Sequence, residues 1–117
     1  MKYALLIHDD EAAWAAMSDE DRNQLLKEYG QFSNDVVDRG LMRGGEQLQP
    51  SSTATTVRIR DDKTITADGP FAETKEQLGG FYLIECENLD QAIEAAARVP
   101  SAKRATIEVR PIVESES

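Results

Sequence analysis

The chain reads as an α+β fold: a ferredoxin-like split βαβ, in which two strand-helix-strand halves share one sheet, with a β-hairpin inserted between them. Three observations predict it. Short runs near the start and over 78–87 are apolar on both alternating faces; one stretch in each half repeats its apolar residues at helical spacing; and a strong hairpin signal lies between the halves.

KYALLIH, residues 2 to 8, mixes aromatic and branched apolar residues and predicts a strand buried on both faces. A connector through Asp9, Asp10, Trp14 and Met17 follows, with room for a helical turn. Ser18 and Asp21 then form a capping box with a shortened acid, and the acids behind Ser18 suit the positive end of a helix dipole. Leu25, Tyr29, Phe32 and Val36 recur at steps of four, three and four, flanked by Leu26, Ser33 and Val37, so one broad stripe faces the core until Gly40 stops the helix.

Residues 41 to 49 predict a strand interrupted by Gly44-Gly45 and ended by Pro50-Ser51-Ser52. TATTVRIR, Asp61-Asp62 and KTITA make the hairpin. Leu78 to Glu87 read as a central strand. Asn88 and Gln91 form a second capping box, and Leu89, Ala92, Ile93, Ala96 and Val99 line a helix ended near Pro100. Ala105 to Val113 supply the last strand, with Ile107 and Val109 on one face, before the acidic end ESES frays. Two helices cover one face of such a sheet. The other stays apolar, which predicts a homodimer with sheets packed face to face.

A length of 117 residues suits one domain, 1–117, and 40% hydrophobic with 30% charged residues describe an ordinary soluble globular protein. Acids outnumber bases by 22 to 13, and the net charge of −9 repels a polyphosphate backbone, which argues against direct nucleic-acid binding. Arg58, Arg60 and Lys63 are diluted by Asp61 and Asp62. The apolar run in MKYALLIHDD is too short for a secretion signal or a membrane span, so the expected location is cytoplasmic. Cys86, the single cysteine, sits in an apolar run and reads as a small buried hydrophobe. No nucleotide, flavin, haem or complete metal motif occurs, so no cofactor and no metal are assigned.

DGPFAETKEQLGGFY, residues 68 to 82, is the least ordinary stretch. Asp68-Gly69-Pro70-Phe71 suits a corner, with Phe71 plugging the core. Glu73-Thr74-Lys75-Glu76 places a hydroxyl, a cation and carboxylates before a buried strand, either at a pocket mouth or in a solvated loop where Lys75 pairs with Glu73 or Glu46. Gly79-Gly80 fits a bulge entering the strand and lacks the setting of a phosphate loop. His8, the only histidine, ends the first strand and shares a side with Asp10; its plainest role is an imidazole bonded to a neighbouring carboxylate. Glu46 either faces water or meets Arg43 or Lys75. Trp14, Tyr29 and Phe32 suit the core or a dimer contact.

A small-molecule cleft between sheet and helices would therefore draw on Glu46, Glu73, Lys75, Glu76, Tyr29 and Tyr82. Glu46, Glu76 and His8 are the catalytic candidates, for proton transfer by a carboxylate.

DGPFAETKEQLGGFYLIE closely resembles the signature of the DGPF family, a branch of the YCII-related proteins with the dimeric α+β barrel fold. MKYALLIHDDEAAW and GGEQLQP, residues 44 to 50, share the resemblance, and the element order matches along nearly the whole chain. The resemblance implies a dimeric α+β barrel and supplies no established activity. Members are often encoded near extracytoplasmic-function sigma factors, which implies an alternative role as a regulatory or interaction protein associated with a sigma factor. The wider group has a proposed His-Asp pair with its histidine on the first helix. Alignment through Asp38-Arg39-Gly40 places that histidine near Tyr29, so the pair is absent here.

Overall fold

A computed structural model describes residues 1–115 of the chain. Six strands run as β1 (Lys2–Asp9), β2 (Met42–Gln47), β3 (Thr55–Arg60), β4 (Lys63–Asp68), β5 (Gln77–Glu85) and β6 (Thr106–Pro111). Three helices, α1 (Glu11–Ala16), α2 (Asp19–Asp38) and α3 (Leu89–Ala97), complete the α+β arrangement. Four strands form one sheet in the order β2-β5-β1-β6, with every neighbour antiparallel, consistent with a ferredoxin-like split βαβ. Glu114 and Ser115 are irregular, and the rest of the ESES end lies outside the described residues.

β1 and β5 occupy the centre, as their two-sided apolar character predicts. Tyr3, Leu5 and Ile7 alternate onto one face and join Ile84 in a buried cluster under α2 and α3. Leu25, Phe32 and Val36 are the buried stripe of α2, and the Ser18 hydroxyl caps that helix by accepting the Asp21 amide at 3.1 Å. Asn88 caps α3, its Oδ1 accepting from the Gln91 amide at 2.9 Å, while the Gln91 side chain accepts from the Glu87 amide at 2.8 Å. On α3 the buried residues are Ala92, Ala95 and Ala96, whereas Leu89 and Ile93 are exposed. The predicted stripe is thus turned: small alanines let the helix lie close to the sheet and tip the bulkier residues outward. Cys86 is buried, as expected of a small hydrophobe, and its thiol donates to the Asn88 carbonyl at 3.4 Å.

The inserted hairpin is an arm. β3 and β4 pair from Thr55↔Asp68 to Arg60↔Lys63 around Asp61 and Asp62, both with positive φ, as a two-residue primed turn requires. They make a separate two-stranded sheet and leave Val57 and Ile59 61% and 62% exposed. The radius of gyration is 16.4 Å, against about 13 Å for a compact chain of this length. After the arm, Gly69 at φ +89 turns the chain, its amide bonded to the Ala54 carbonyl. Phe71 does not plug the core. It is 82% exposed, because the corner carries it away from both helices with the arm. Among the described residues no helix is long and apolar enough to cross a membrane.

Candidate ligand cleft

The expected connector at 9–17 contains a full helix, and its start shapes the molecule's main cleft. Asp10 caps α1, its Oδ1 accepting from the amides of Ala12 at 2.9 Å and Ala13 at 3.3 Å. The Glu11 amide donates to Gln77 Oε1 at 3.0 Å. The Glu11 carboxylate accepts from the amide and hydroxyl of Ser51, at 2.7 and 2.8 Å. These bonds tie α1 to the start of β5 and to the turn beyond β2. No residue of α1 is fully buried, so the helix stands as a wall rather than a core element.

Between α1, α2 and the β1-β5-β2 part of the sheet lies a cleft of about 720 Å³, within the usual range for small-molecule sites. Trp14 lines it from α1, and Leu26, Tyr29 and Ser33 from α2, brought to one side by their i, i+3 and i+4 spacing. Tyr82 forms its floor, edge-on to Phe32 with ring centroids 5.1 Å apart. Gly45, opposite Tyr82 on β2, keeps that floor open: a Cβ there would come within 2.8 Å of the Phe81 carbonyl and 3.0 Å of the Tyr82 ring. Glycine is required by space.

Two hydroxyl pairs mark the polar points. Tyr29 donates to Ser101 Oγ at 2.6 Å, and the Ser33 and Tyr82 hydroxyls share a bond of 3.3 Å. Burial raises the Tyr29 pKa above the usual tyrosine value, helped by the nearby Tyr82 and Asp9 and opposed by the bonds to Ser101. Asp9 is held by its own neighbours, with Oδ1 accepting the Asp10 amide at 2.8 Å and Oδ2 paired to Arg104 at 2.8 Å.

The predicted site residues separate. Tyr29 and Tyr82 meet in the cleft. Trp14 joins them there, so it and Tyr29 are cleft residues, whereas Phe32 belongs to the core. Glu46 borders the cleft, but its register partner Phe81 lies on the opposite pleat from Tyr82, which puts the Glu46 side chain on the far face of the sheet. It faces water there, without an ion pair among the described residues, while Arg43 pairs with Glu85 at 3.4 Å. Glu73 and Lys75 are exposed outside the cleft, and Lys75 has neither of its predicted ion pairs. The polar burst instead folds on itself: the Thr74 hydroxyl donates to the Glu76 carbonyl, and the Gln77 amide group to the Thr74 carbonyl. Its connection to the cleft runs through Gln77, which holds α1.

His8 and Glu76 meet on the other face, in a shallow depression with Thr106 and Glu108. His8 Nε2 lies 3.2 Å from Glu108 Oε1, and the Thr106 hydroxyl donates to Glu76 at 3.0 Å. The histidine has its carboxylate partner, but across strands, because Asp10 is occupied at the helix cap. Arg110, bonded at 2.7 Å, and then His8 lower the Glu108 pKa. Among the described residues no three His, Cys, Asp or Glu side chains gather closely enough to hold a metal ion. A register shift between Ile7 and His8 leaves Gly79 as the extra residue of the predicted bulge.

Asp9, Glu11, Trp14, Ser33, Gln77 and Ser101 were not singled out for the cleft from the sequence. Asp10-Glu11 ahead of an Ala-rich run does carry a helix-start signal, and Ser33 is four residues from Tyr29. Ser101, 72 positions from Tyr29, gives no local signal.

The model of the YCII-related domain matches residues 1–116. The chain belongs to the YCII-related family. It is 40% identical over 114 residues to an uncharacterized protein, R00369, of Rhizobium meliloti (strain 1021), an alignment covering 96% of this chain and 92% of the relative.

Proposed function

We propose that this YCII-related protein is a homodimer that binds a small organic molecule in the cleft between α1, α2 and the sheet. The observation that carries the proposal is the cleft itself, about 720 Å³ walled by Trp14, Tyr29 and Tyr82 and set with two hydroxyl pairs. Asp9 and Glu11 are the carboxylates on the cleft side, so a proton-transfer step would run through one of them rather than through Glu46 or Glu76. The dimer is supported by Leu6, Phe81 and Leu83 on the sheet face without helices, which a second copy would cover as in a dimeric α+β barrel.

A thermal-shift screen against metabolites tests the cleft. A ligand at a hundred times its Kd adds about 2.7 kcal/mol, or several degrees in a domain of this size. Ala12→Trp, at an exposed lining position, fills the cleft without touching the core and should abolish every hit. Hits that persist in Ala12→Trp would place binding elsewhere.

The arm favours a second role, contact with a protein such as an extracytoplasmic-function sigma factor, through exposed Val57, Ile59 and Ile65. Copurification of a sigma factor that is lost in Val57→Ser/Ile59→Ser would support it. Equal recovery with both proteins would remove the arm from consideration.

A further inference from the structure

The walls of the cleft are aromatic and aliphatic, so its selectivity rests on the few charged and polar groups inside. Among the described residues neither lysine nor arginine lines it. The guanidinium of Arg104 is spent on Asp9 at 2.8 Å. Arg22 packs over the Trp14 ring at 5.7 Å and donates to the Met17 carbonyl at 2.9 Å.

Backbone donors are equally committed. An anion entering beside α1 would seek the free amides of its first turn, yet Gln77 takes the Glu11 amide and Asp10 takes those of Ala12 and Ala13. The chain has filled its own anion position with a neutral amide and a carboxylate. A carboxylate or phosphate ligand would therefore be stripped of water without charged donors to replace it.

Acceptors are in surplus. Each oxygen of Glu11 takes one neutral donor from Ser51, and among the described residues no cation pairs with it. A carboxylate has room for about four donors, so half its capacity is open. Asp9 lies on the same side with its charge balanced by Arg104, which leaves Glu11 as the carboxylate without a cation there, in a chain that carries −9 overall.

We infer that the cleft takes an aromatic or apolar amine, its ring between Trp14, Tyr29 and Tyr82 and its ammonium against Glu11, and that it rejects carboxylates and phosphates of the same shape. This rests on the cleft being a binding site, and it names the class of ligand.

Three nearly isosteric probes separate the two claims: tryptamine, tryptophol and indole-3-propionate, with Kd values from isothermal titration at low and moderate salt. Tryptamine should bind at least tenfold tighter than indole-3-propionate, with tryptophol between, and added salt should weaken the amine while leaving the alcohol unchanged. In Glu11→Gln the ratio of the tryptophol Kd to the tryptamine Kd should shrink severalfold. Indole-3-propionate binding as tightly as tryptamine, or a salt-independent amine, overturns the ligand class and leaves the cleft as a site. An advantage that survives in Glu11→Gln overturns the role of Glu11. Binding by none of the three, at millimolar concentration, overturns both the ligand class and the cleft.

Discussion

The two faces of the four-stranded sheet are built from the same strands and differ in what covers them. On the helix side Tyr3, Leu5, Ile7 and Ile84 are buried in one cluster under α2 and α3. On the other side Ala4, Leu6, Phe81 and Leu83, their neighbours by one residue, are half-buried. Alternation assigns residues to faces and leaves the nature of the cover open. A strand apolar on both faces asks for two covers, and the described chain supplies one.

The largest effect should come from the covered face. Leu5→Ala removes a fully buried side chain and should cost about 2–5 kcal/mol in urea unfolding, whereas Leu6→Ala should cost under about 1 kcal/mol in a single copy. Equal losses would mean the open face is already packed within one copy.

Leu6→Asp sharpens the contrast from the other side. A charge buried unpaired in an apolar interface costs at least about 3 kcal/mol, so the proposed dimer should dissociate at least roughly a hundredfold more readily by light scattering. Far-UV circular dichroism should stay unchanged. A Leu6→Asp protein that remains dimeric would locate the contact elsewhere.

Tyr29 spans the core and the cleft. Tyr29→Phe strands the hydroxyl of Ser101, which is 2% exposed, and should cost about 1–2 kcal/mol at neutral pH. The pH dependence has a definite sign. With its folded pKa raised, Tyr29 stabilises fully below the unfolded value near about 10, and that contribution is lost as pH rises through the folded value. Urea midpoints of wild type and Tyr29→Phe should therefore converge in alkaline solution. A gap that widens would contradict the burial of the hydroxyl.

The smallest effect belongs to the arm. Val57→Thr/Ile59→Thr should leave the unfolding free energy of a single copy within about 0.5 kcal/mol of wild type, since neither side chain is covered in its own chain. A larger loss would show that the arm packs on the body in solution.

Local physics made much of this legible. Ser18 and Asn88 announce their helices because a cap is a contact across three residues. Asp61-Asp62 announces the hairpin because so short a turn admits few conformations, and β1 and β5 announce the sheet centre by being apolar twice over. Phe71 misled because an aromatic residue beside a turn looks the same whether the turn points inward or outward. Lys75 and Glu76 left two readings open because a polar burst that satisfies its own backbone resembles one that waits for a ligand.

The sequence by itself determined the strands, the two longer helices, the hairpin and which residues of a strand share a side, since these follow from periods of two and 3.6 and from capping within a few positions. Only the tertiary structure decided the cleft. It joined Tyr29 to Ser101 and Glu11 to Ser51, put Gly45 under the Tyr82 ring, and sent Glu46 and His8 to the opposite face. Those pairings span tens of residues, and their identity depends on how strands register and helices dock, which no local pattern encodes.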